Sequence, residues 1–307
     1  MTSYRKRLPQ LDGGLFLTDG GIETSLMYND GLELPDFAAF DLFKRPGGEA
    51  ALRRYFGAYA AIAARFGTGL VLESATWRAS ADWGERLGYT RRDLVEANRS
   101  AIRLLEDFPQ AVISGCVGPR GDGYQPGRTM TIGEALRYHR TQVGIFADSA
   151  ADMVSAITMN YVQEAIGIAE AAKEFQMPVA ISFTVETDGR LPTGQPLKEA
   201  IEQVDSATRS YPSYYMLNCA HPDHFQTALR GPWAARIRGL RANASRKSHA
   251  ELNESTSLDA GNPAELGMQY AELKGGLLPK LNVMGGCCGT DYRHVESIAA
   301  ACAPLWS

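Results

Sequence analysis

The sequence predicts a single-domain α/β protein, a (β/α)8 TIM barrel over residues 1–307. Short apolar runs of four to six residues recur eight times along the chain. They lack polar alternation, as expected for strands buried on both faces of a parallel sheet. Longer amphipathic stretches separate the runs, and barrels of this type commonly reach this length as one domain.

The strands are predicted from the apolar runs alone. Their bounds are Leu15–Thr18, Gly69–Leu72, Ala111–Ser114, Met153–Ile157, Val179–Thr184, Tyr214–Leu217, Ile237–Arg241 and Leu281–Met284. A doubly wound open sheet is the alternative architecture. Eight evenly recurring units, and no Gly-x-Gly-x-x-Gly turn after the first strand, favour the barrel.

Helices are predicted between the strands from apolar residues at helical spacing. Val162, Ala165, Ile166 and Ala169 follow this spacing, and a similar face starts at Leu197. Further helices are predicted at Arg91–Glu106, Glu134–Ala150, Pro263–Lys274 and Tyr292–Ala303. The polar stretch Ser245–Asn262 after the seventh strand is predicted to be a surface loop or a lid.

Composition limits the class of protein. The chain is 45% hydrophobic, which supplies a large core, and its net charge of −4 gives no field that would recruit nucleic acid or an anionic membrane. No apolar stretch approaches the roughly 20 residues of a membrane span. Five cysteines, an odd number, do not resemble a secreted disulfide framework. We expect a cytoplasmic enzyme that acts on small molecules, and association of identical chains stays open.

Three cysteines form the most informative pattern. Cys219 follows the sixth strand, and Cys287 and Cys288 follow the eighth within Gly-Gly-Cys-Cys-Gly. Active sites of such barrels lie at the carboxyl ends of the strands, so the three thiols are expected on one rim. Three thiolates and an open position suit a catalytic zinc ion. The alternative is a buried pair of small apolar residues beside an unrelated third cysteine.

Other polar residues also follow the predicted strands and are candidates for binding substrate. They are Asp19, Gly20, Gly21, Glu23, Glu73, Thr158, Asn160 and Asn218. Asp19-Gly20-Gly21 fits an ordinary turn equally well, and Glu186 is interpreted as part of a solvated turn. Cys116 fits the barrel interior or a pocket wall, and Cys302 fits helix packing. His221 and His224 are interpreted as a helix face or as residues around the site, and not as ligands.

These motifs together carry a family resemblance. Asp19-Gly20-Gly21, Asn218-Cys219 and the stretch 285–290 resemble the zinc-dependent homocysteine S-methyltransferase family, which includes the S-methylmethionine and betaine enzymes. Ser182-Phe183-Thr184 and the stretch 191–197 are also similar to that family. The resemblance implies a Zn²⁺ on Cys219, Cys287 and Cys288. It also implies methyl transfer from a sulfonium or quaternary ammonium donor to a thiol.

The chemistry of such a site is consistent with that activity. A thiol with a pKa near 8.5 is mostly protonated at neutral pH, and coordination to zinc deprotonates it. Aromatic rings such as Trp77, Tyr124 or Tyr161 are candidates to hold a cationic donor. The donor itself stays open among S-methylmethionine, S-adenosylmethionine and betaine. The expected acceptor is homocysteine, which would yield methionine.

One position departs from the family pattern. Relatives carry a Glu-Thr pair at the end of the fourth strand, where the Glu binds the ammonium group of homocysteine, but this chain has Ile157-Thr158. Either another rim acid, Glu23 or Glu73, has replaced it, or the acceptor is a different thiol or selenol. A methyltransfer subunit with a corrinoid partner and a non-catalytic zinc-binding regulatory protein are the remaining alternatives.

Overall fold

The structure, a computed structural model, describes residues 4–306. Eight parallel strands close into one barrel in sequence order, and β8 pairs with β1. The strands are β1 Phe16–Leu17, β2 Gly69–Glu73, β3 Val112–Val117, β4 Met153–Met159, β5 Val179–Phe183, β6 Tyr214–Asn218, β7 Ile237–Ala242 and β8 Val283–Gly286. The predicted single-domain barrel is confirmed.

The helices surround the barrel and connect successive strands. They are α1 Ile22–Thr24, α2 Gly48–Phe66, α3 Ala81–Arg86, α4 Arg91–Leu105, α5 Ile132–Ala147, α6 Val162–Glu174, α7 Leu197–Thr208, α8 Pro222–Phe225, α9 His249–Asn253, α10 Pro263–Gly275 and α11 Tyr292–Cys302. Side chains fix several helix starts: Thr90 and Thr131 each form a reciprocal capping box with the acid three residues later. No helix within residues 4–306 is long and apolar enough to cross a membrane.

One unit departs from the predicted pattern of a regular helix after every strand. β6 is followed by only the four-residue α8 and two short 3-10 segments. Gly231 has a φ of 111°, and Pro232 has no backbone N–H, so a continuous helix cannot pass through residues 226–236.

Side chains of the strands alternate between the barrel interior and the helices. In β2, Leu70 and Leu72 pack in the cluster that includes the helices, whereas Val71 packs with interior residues from the other strands. Since alternate residues of a strand share a face, Glu73 points into the barrel with Val71. Glu73 therefore lies beneath the carboxyl-terminal mouth, where the polar rim residues gather.

Candidate metal and substrate site

The three predicted cysteines meet at the carboxyl-terminal mouth of the barrel. The sulfur atoms of Cys219, Cys287 and Cys288 all lie within 4.8 Å of one another. Cys219 Sγ and Cys288 Sγ are 3.9 Å apart. None of the three is in a disulfide. The arrangement is thus a compact cluster of free thiols from two strands separated by β7.

The sulfur spacing fits a metal. Tetrahedral zinc with bonds of about 2.3 Å would hold its sulfur ligands about 3.8 Å apart. The Cys219–Cys288 separation of 3.9 Å agrees with this value. Cys219 and Cys288 hydrogen-bond with the sulfur of Cys287, and this lowers the pKa of Cys287 well below its usual value. The cluster therefore favours a thiolate at Cys287, the form that binds metal, whereas hydrogen bonding within the cluster raises the pKa of Cys219 and of Cys288.

Close backbone contacts bring the first and eighth strands together at the cluster. A Cβ on Gly21 would lie 2.4 Å from the carbonyl oxygen of Cys287, so only glycine fits there. The Gly21 N–H donates to the Thr290 carbonyl at 3.1 Å. Gly289 has a φ of 80°, a left-handed conformation that glycine adopts without strain. These glycines place Cys287 and Cys288 against the loop after β1.

A cavity of about 230 Å³ opens beside the thiols. Six of the eight predicted substrate-binding residues line it together with the three cysteines: Asp19, Gly20, Gly21, Glu23, Glu73 and Thr158. Asn160 and Asn218 are outside this lining. Other parts of the wall come from Trp77, Arg78, Tyr124, Ile157 and Arg241. The rim therefore combines aromatic surface with several charges.

Asn160 and Asn218 bond to protein groups and do not face the cavity. Asn160 Nδ2 donates to the carbonyls of Asp122 and Gly123 at 2.8 and 3.1 Å. Asn218 Nδ2 donates to Thr158 Oγ1 at 2.7 Å, and its Oδ1 accepts the Thr158 N–H at 3.0 Å. Asn218 Nδ2 also lies 3.8 Å from Cys287 Sγ. Both amides thus position neighbouring residues, and their contact with substrate stays a prediction.

Asp19 is buried and already paired. Its Oδ1 accepts from Arg241 Nη1 at 2.9 Å, and its Oδ2 accepts from the Tyr55 hydroxyl at 3.0 Å. Arg241 also donates to the carbonyls of Gly20 and Gly286. Sequence reasoning missed Arg241, although an arginine at the end of an apolar strand is itself a signal. The ion pair joins the loop after β1 to β7.

The other two acids lack such a partner. Burial raises the pKa of Glu23 to about 7, and it also raises the pKa of Glu73. Glu73 is 5% exposed, and its Oε2 atom has no hydrogen-bond partner among the described residues. Arg78 is close enough to Glu23 to favour its charged form, and Arg241 does the same for Glu73.

The segment 245–262 covers part of the cavity mouth, as one of the two sequence interpretations expected. Leu252, Leu258 and Asp259 line the cavity. His249, in α9 of this segment, contacts the Cys219 carbonyl through Nε2 at 2.7 Å and Glu186 through Nδ1 at 3.0 Å. Glu186 begins an exposed turn closed by the Gly189 N–H, as the sequence indicates, and it also contacts His249 of this segment. Sequence reasoning also missed His249.

The three candidate aromatic residues differ in position. Tyr124 stacks on His249 with ring centroids 3.9 Å apart, and its hydroxyl lies 3.5 Å from Cys288 Sγ. Trp77 also lines the cavity, but the Arg78 guanidinium lies 4.1 Å from its ring centre. Tyr161 does not line the cavity. Tyr124 is therefore an aromatic ring close to the thiols.

The remaining cysteines and histidines lie where other roles suffice. Cys116 is buried in the cavity wall, and Cys302 is buried in the core between helices. His221 Nδ1 accepts the Asp223 N–H and caps α8. His224 Nε2 lies 2.8 Å from the Arg246 carbonyl. Neither histidine belongs to the metal-ligand cluster within the described residues.

The fold and the site define a (β/α)8 barrel with a candidate three-cysteine metal site at the carboxyl ends of its strands. Comparison with known proteins identifies its family. The profile of the homocysteine S-methyltransferase family matches residues 16–302. The chain belongs to this family. The family resemblance predicted from the sequence is thereby confirmed.

Individual relatives are distant. The chain is 24% identical over 204 residues to homocysteine S-methyltransferase YbgG of Bacillus subtilis, and the match covers 62% of each chain. The metallated form of homocysteine methyltransferase MmuM from Escherichia coli superposes with a TM-score of 0.72 at 18% identity, covering 97% of this chain and 99% of that one. Its oxidized form gives 0.72 at 19%, covering 94% and 97%. These structural likenesses show a shared fold.

Proposed function

We propose that this protein transfers a methyl group from a sulfonium or quaternary ammonium donor to homocysteine and forms methionine. The observation that carries the proposal is the cluster of three thiols beside a cavity of about 230 Å³ at the catalytic rim. Family membership supports the reaction class. S-methylmethionine, S-adenosylmethionine and betaine are the donor types that fit this chemistry.

Cys219, Cys287 and Cys288 would hold the zinc ion. When bound, zinc lowers the pKa of the acceptor thiol and so supplies a thiolate at neutral pH. The acceptor sulfur forms a bond to the methyl carbon while the donor sulfur or nitrogen takes the bonding pair and loses its positive charge. The thiol proton leaves to solvent.

The protein's own residues would position the two substrates. Methyl transfer needs the reacting atoms in line and about 3–3.5 Å apart, so the site gains rate mainly from orientation. Tyr124 lines the cavity and stacks on His249, so the opposite face of its ring would hold a cationic donor. The lid residues Leu252 and Leu258 add apolar surface to the cavity wall and would exclude water.

A product screen tests the proposal. Zinc-loaded protein is incubated with homocysteine and each of the three donor types, and methionine is measured by mass spectrometry. Methionine should form with at least one donor and not with Cys287→Ala protein. Absence of any methylated thiol from fully metal-loaded protein would contradict the proposal.

A second acceptor class is favoured by one specific observation. Ile157 stands where the family resemblance implies a carboxylate, and Asp19 is already paired with Arg241. Both features would suit a thiol acceptor without an amino group. The same screen therefore includes 4-mercaptobutyrate, which is homocysteine without its amino group. Preferential methylation of this compound would identify the second class.

A further inference from the structure

The cavity carboxylates differ in how much hydrogen-bonding capacity remains free. Each oxygen of Asp19 already accepts a hydrogen bond, from Arg241 and Tyr55. Arg241 also donates its Nε–H to the Gly286 carbonyl and an Nη2–H to the Gly20 carbonyl. Asp19 is thus neutralised by the protein itself. A substrate cation would have to compete with a buried guanidinium for it.

Glu73 is in the opposite situation. It lies inside the barrel at the end of β2, is 5% exposed, and lines the same cavity as the thiols. Its side chain forms no ion pair among residues 4–306, and its Oε2 atom accepts no hydrogen bond. Hydrogen bonds from Ser114 and Ser155 favour the charged form of Glu73, but a buried carboxylate that no cation is bonded to is still costly. It is therefore a group that a ligand of opposite charge would complete.

Glu23 is the other free acid, but its surroundings are less suitable for a cation. The positive charge of Arg78 acts on Glu23. Arg78 also lines the cavity, and its guanidinium stacks 3.6 Å from the ring centre of Trp83. An ammonium group at Glu23 would therefore be repelled by a nearby guanidinium, whereas the cation near Glu73 is already bonded to Asp19.

We infer that Glu73 binds the ammonium group of the acceptor. This inference rests on the proposed function and identifies which class of thiol the site accepts, namely an amino thiol. Ile157, on the wall of the same cavity, gives the ammonium no partner. The carboxylate that recognises it would then come from β2, and the acid expected at the end of β4 is not needed.

The test measures recognition of the amino group without turnover. Zinc-loaded protein is titrated calorimetrically with methionine, the proposed product, and with 4-(methylthio)butyrate, the same thioether without the amino group. Wild-type protein should prefer methionine. Glu73→Gln should weaken methionine binding by roughly 10- to 100-fold, because a charge-assisted hydrogen bond is lost. Its affinity for 4-(methylthio)butyrate should stay within about twofold of wild type.

Two further variants locate the charge. Glu23→Gln should keep the preference for methionine. In Glu73→Gln/Ile157→Glu protein, a carboxylate returns from another part of the same wall, and part of the preference should return. Thermal unfolding of Glu73→Gln should show little loss of stability, because the glutamine amide oxygen still accepts from Ser114 and Ser155 while the buried charge is removed.

Defined outcomes overturn the inference. The inference fails if wild-type protein binds methionine no more tightly than 4-(methylthio)butyrate, or if Glu73→Gln keeps the preference for methionine. It also fails if Glu73→Gln loses affinity for both ligands equally. Loss of the preference in Glu23→Gln alone would move the role to Glu23. Failure of the proposed function is separate: it appears as absence of thiol methylation in the product screen, whatever the binding experiment shows.

Discussion

Asp19 and Arg241 form a buried ion pair across the mouth of the barrel, with 2.9 Å between Oδ1 and Nη1. The pair joins the loop after β1 to the end of β7, next to the strand that closes the barrel. Arg241 donates to Gly286 as well, in the strand that leads to Cys287. The pair therefore supports the geometry of the thiol cluster and neutralises the charge of Asp19, whose contact with substrate stays a prediction.

Removing one member of this pair should be more damaging than removing both. Arg241→Met leaves the Asp19 carboxylate buried without its cation and should lower the free energy of unfolding by about 3–5 kcal/mol. Asp19→Asn/Arg241→Met should recover part of that loss. Urea unfolding of the three proteins is the measurement. If the free energy of unfolding of Arg241→Met lies within about 1 kcal/mol of the wild-type value, the ion pair does not stabilise the mouth of the barrel.

Metal binding should depend on three of the five cysteines. We expect about one zinc per chain in wild-type protein. Cys219→Ala, Cys287→Ala and Cys288→Ala should each lose most of it, because each removes a ligand from the cluster. Cys302→Ala is the control, since Cys302 is buried among helices. Elemental analysis of dialysed protein gives the answer, and full zinc retention in the first three variants would contradict the site.

The ring of Tyr124 should matter for the donor more than its hydroxyl does. Tyr124→Leu removes the π face and should raise the donor KM by roughly 2- to 30-fold, which corresponds to a cation–π contribution of about 0.5–2 kcal/mol. Tyr124→Phe keeps the face and should stay close to wild type. Steady-state kinetics with the donor varied and the acceptor saturating separates the two. Equal effects in both variants would assign the contribution to the hydroxyl.

Asp291 should add a component of stability that disappears in acid. Burial alone would raise the pKa of Asp291, but hydrogen bonds with His294 and Arg293 outweigh it and hold the pKa well below the ordinary 3.8. A depressed folded pKa stabilises the protein above pH 3.8, and the contribution is lost as the pH falls below that value. Asp291→Asn should therefore unfold at lower urea than wild type at pH 6. The gap should narrow from pH 4 to pH 3.

If the urea midpoints of wild-type and Asp291→Asn protein differ by the same amount at every pH, the effect of Asp291 is not electrostatic. Asp291 also caps α11 by accepting the Arg293 N–H. Asparagine is itself a good capping residue, so the substitution isolates the charge from the cap.

Much of the fold could be predicted from the sequence because a strand buried on both faces is a continuous run of apolar residues. Val179–Phe183 and Tyr214–Asn218 read as apolar runs, since helices cover one face and the barrel interior the other. The thiol cluster followed from the barrel, because the fold places strand ends on one rim. The helix face predicted at His221 and His224 corresponds to α8, which is shorter than the other helices because Gly231 and Pro232 interrupt the connection to β7.

The finer site could not be predicted because it depends on contacts distant in sequence. Arg241 pairs with a residue 222 positions away, and His249 reaches Glu186 and Tyr124 from a polar loop with no periodicity. Backbone conformation was equally hidden. Thr158 has a φ of 66° and Cys219 a φ of 53°, left-handed values that a residue other than glycine adopts only at a cost of about 1–3 kcal/mol. Asn218 holds Thr158 in place through two hydrogen bonds.

The division of the thiols between β6 and β8 has a consequence for how the protein matures. β8 is the strand that seals the barrel against β1, and Cys287 and Cys288 reach Cys219 only once it is in place. A chain that has folded as far as β7 presents Cys219 alone, which is too few sulfurs to retain an ion. Metal binding would thus follow closure of the barrel. The amount of metal per chain in a preparation would then report the fraction of chains in which β8 is in place.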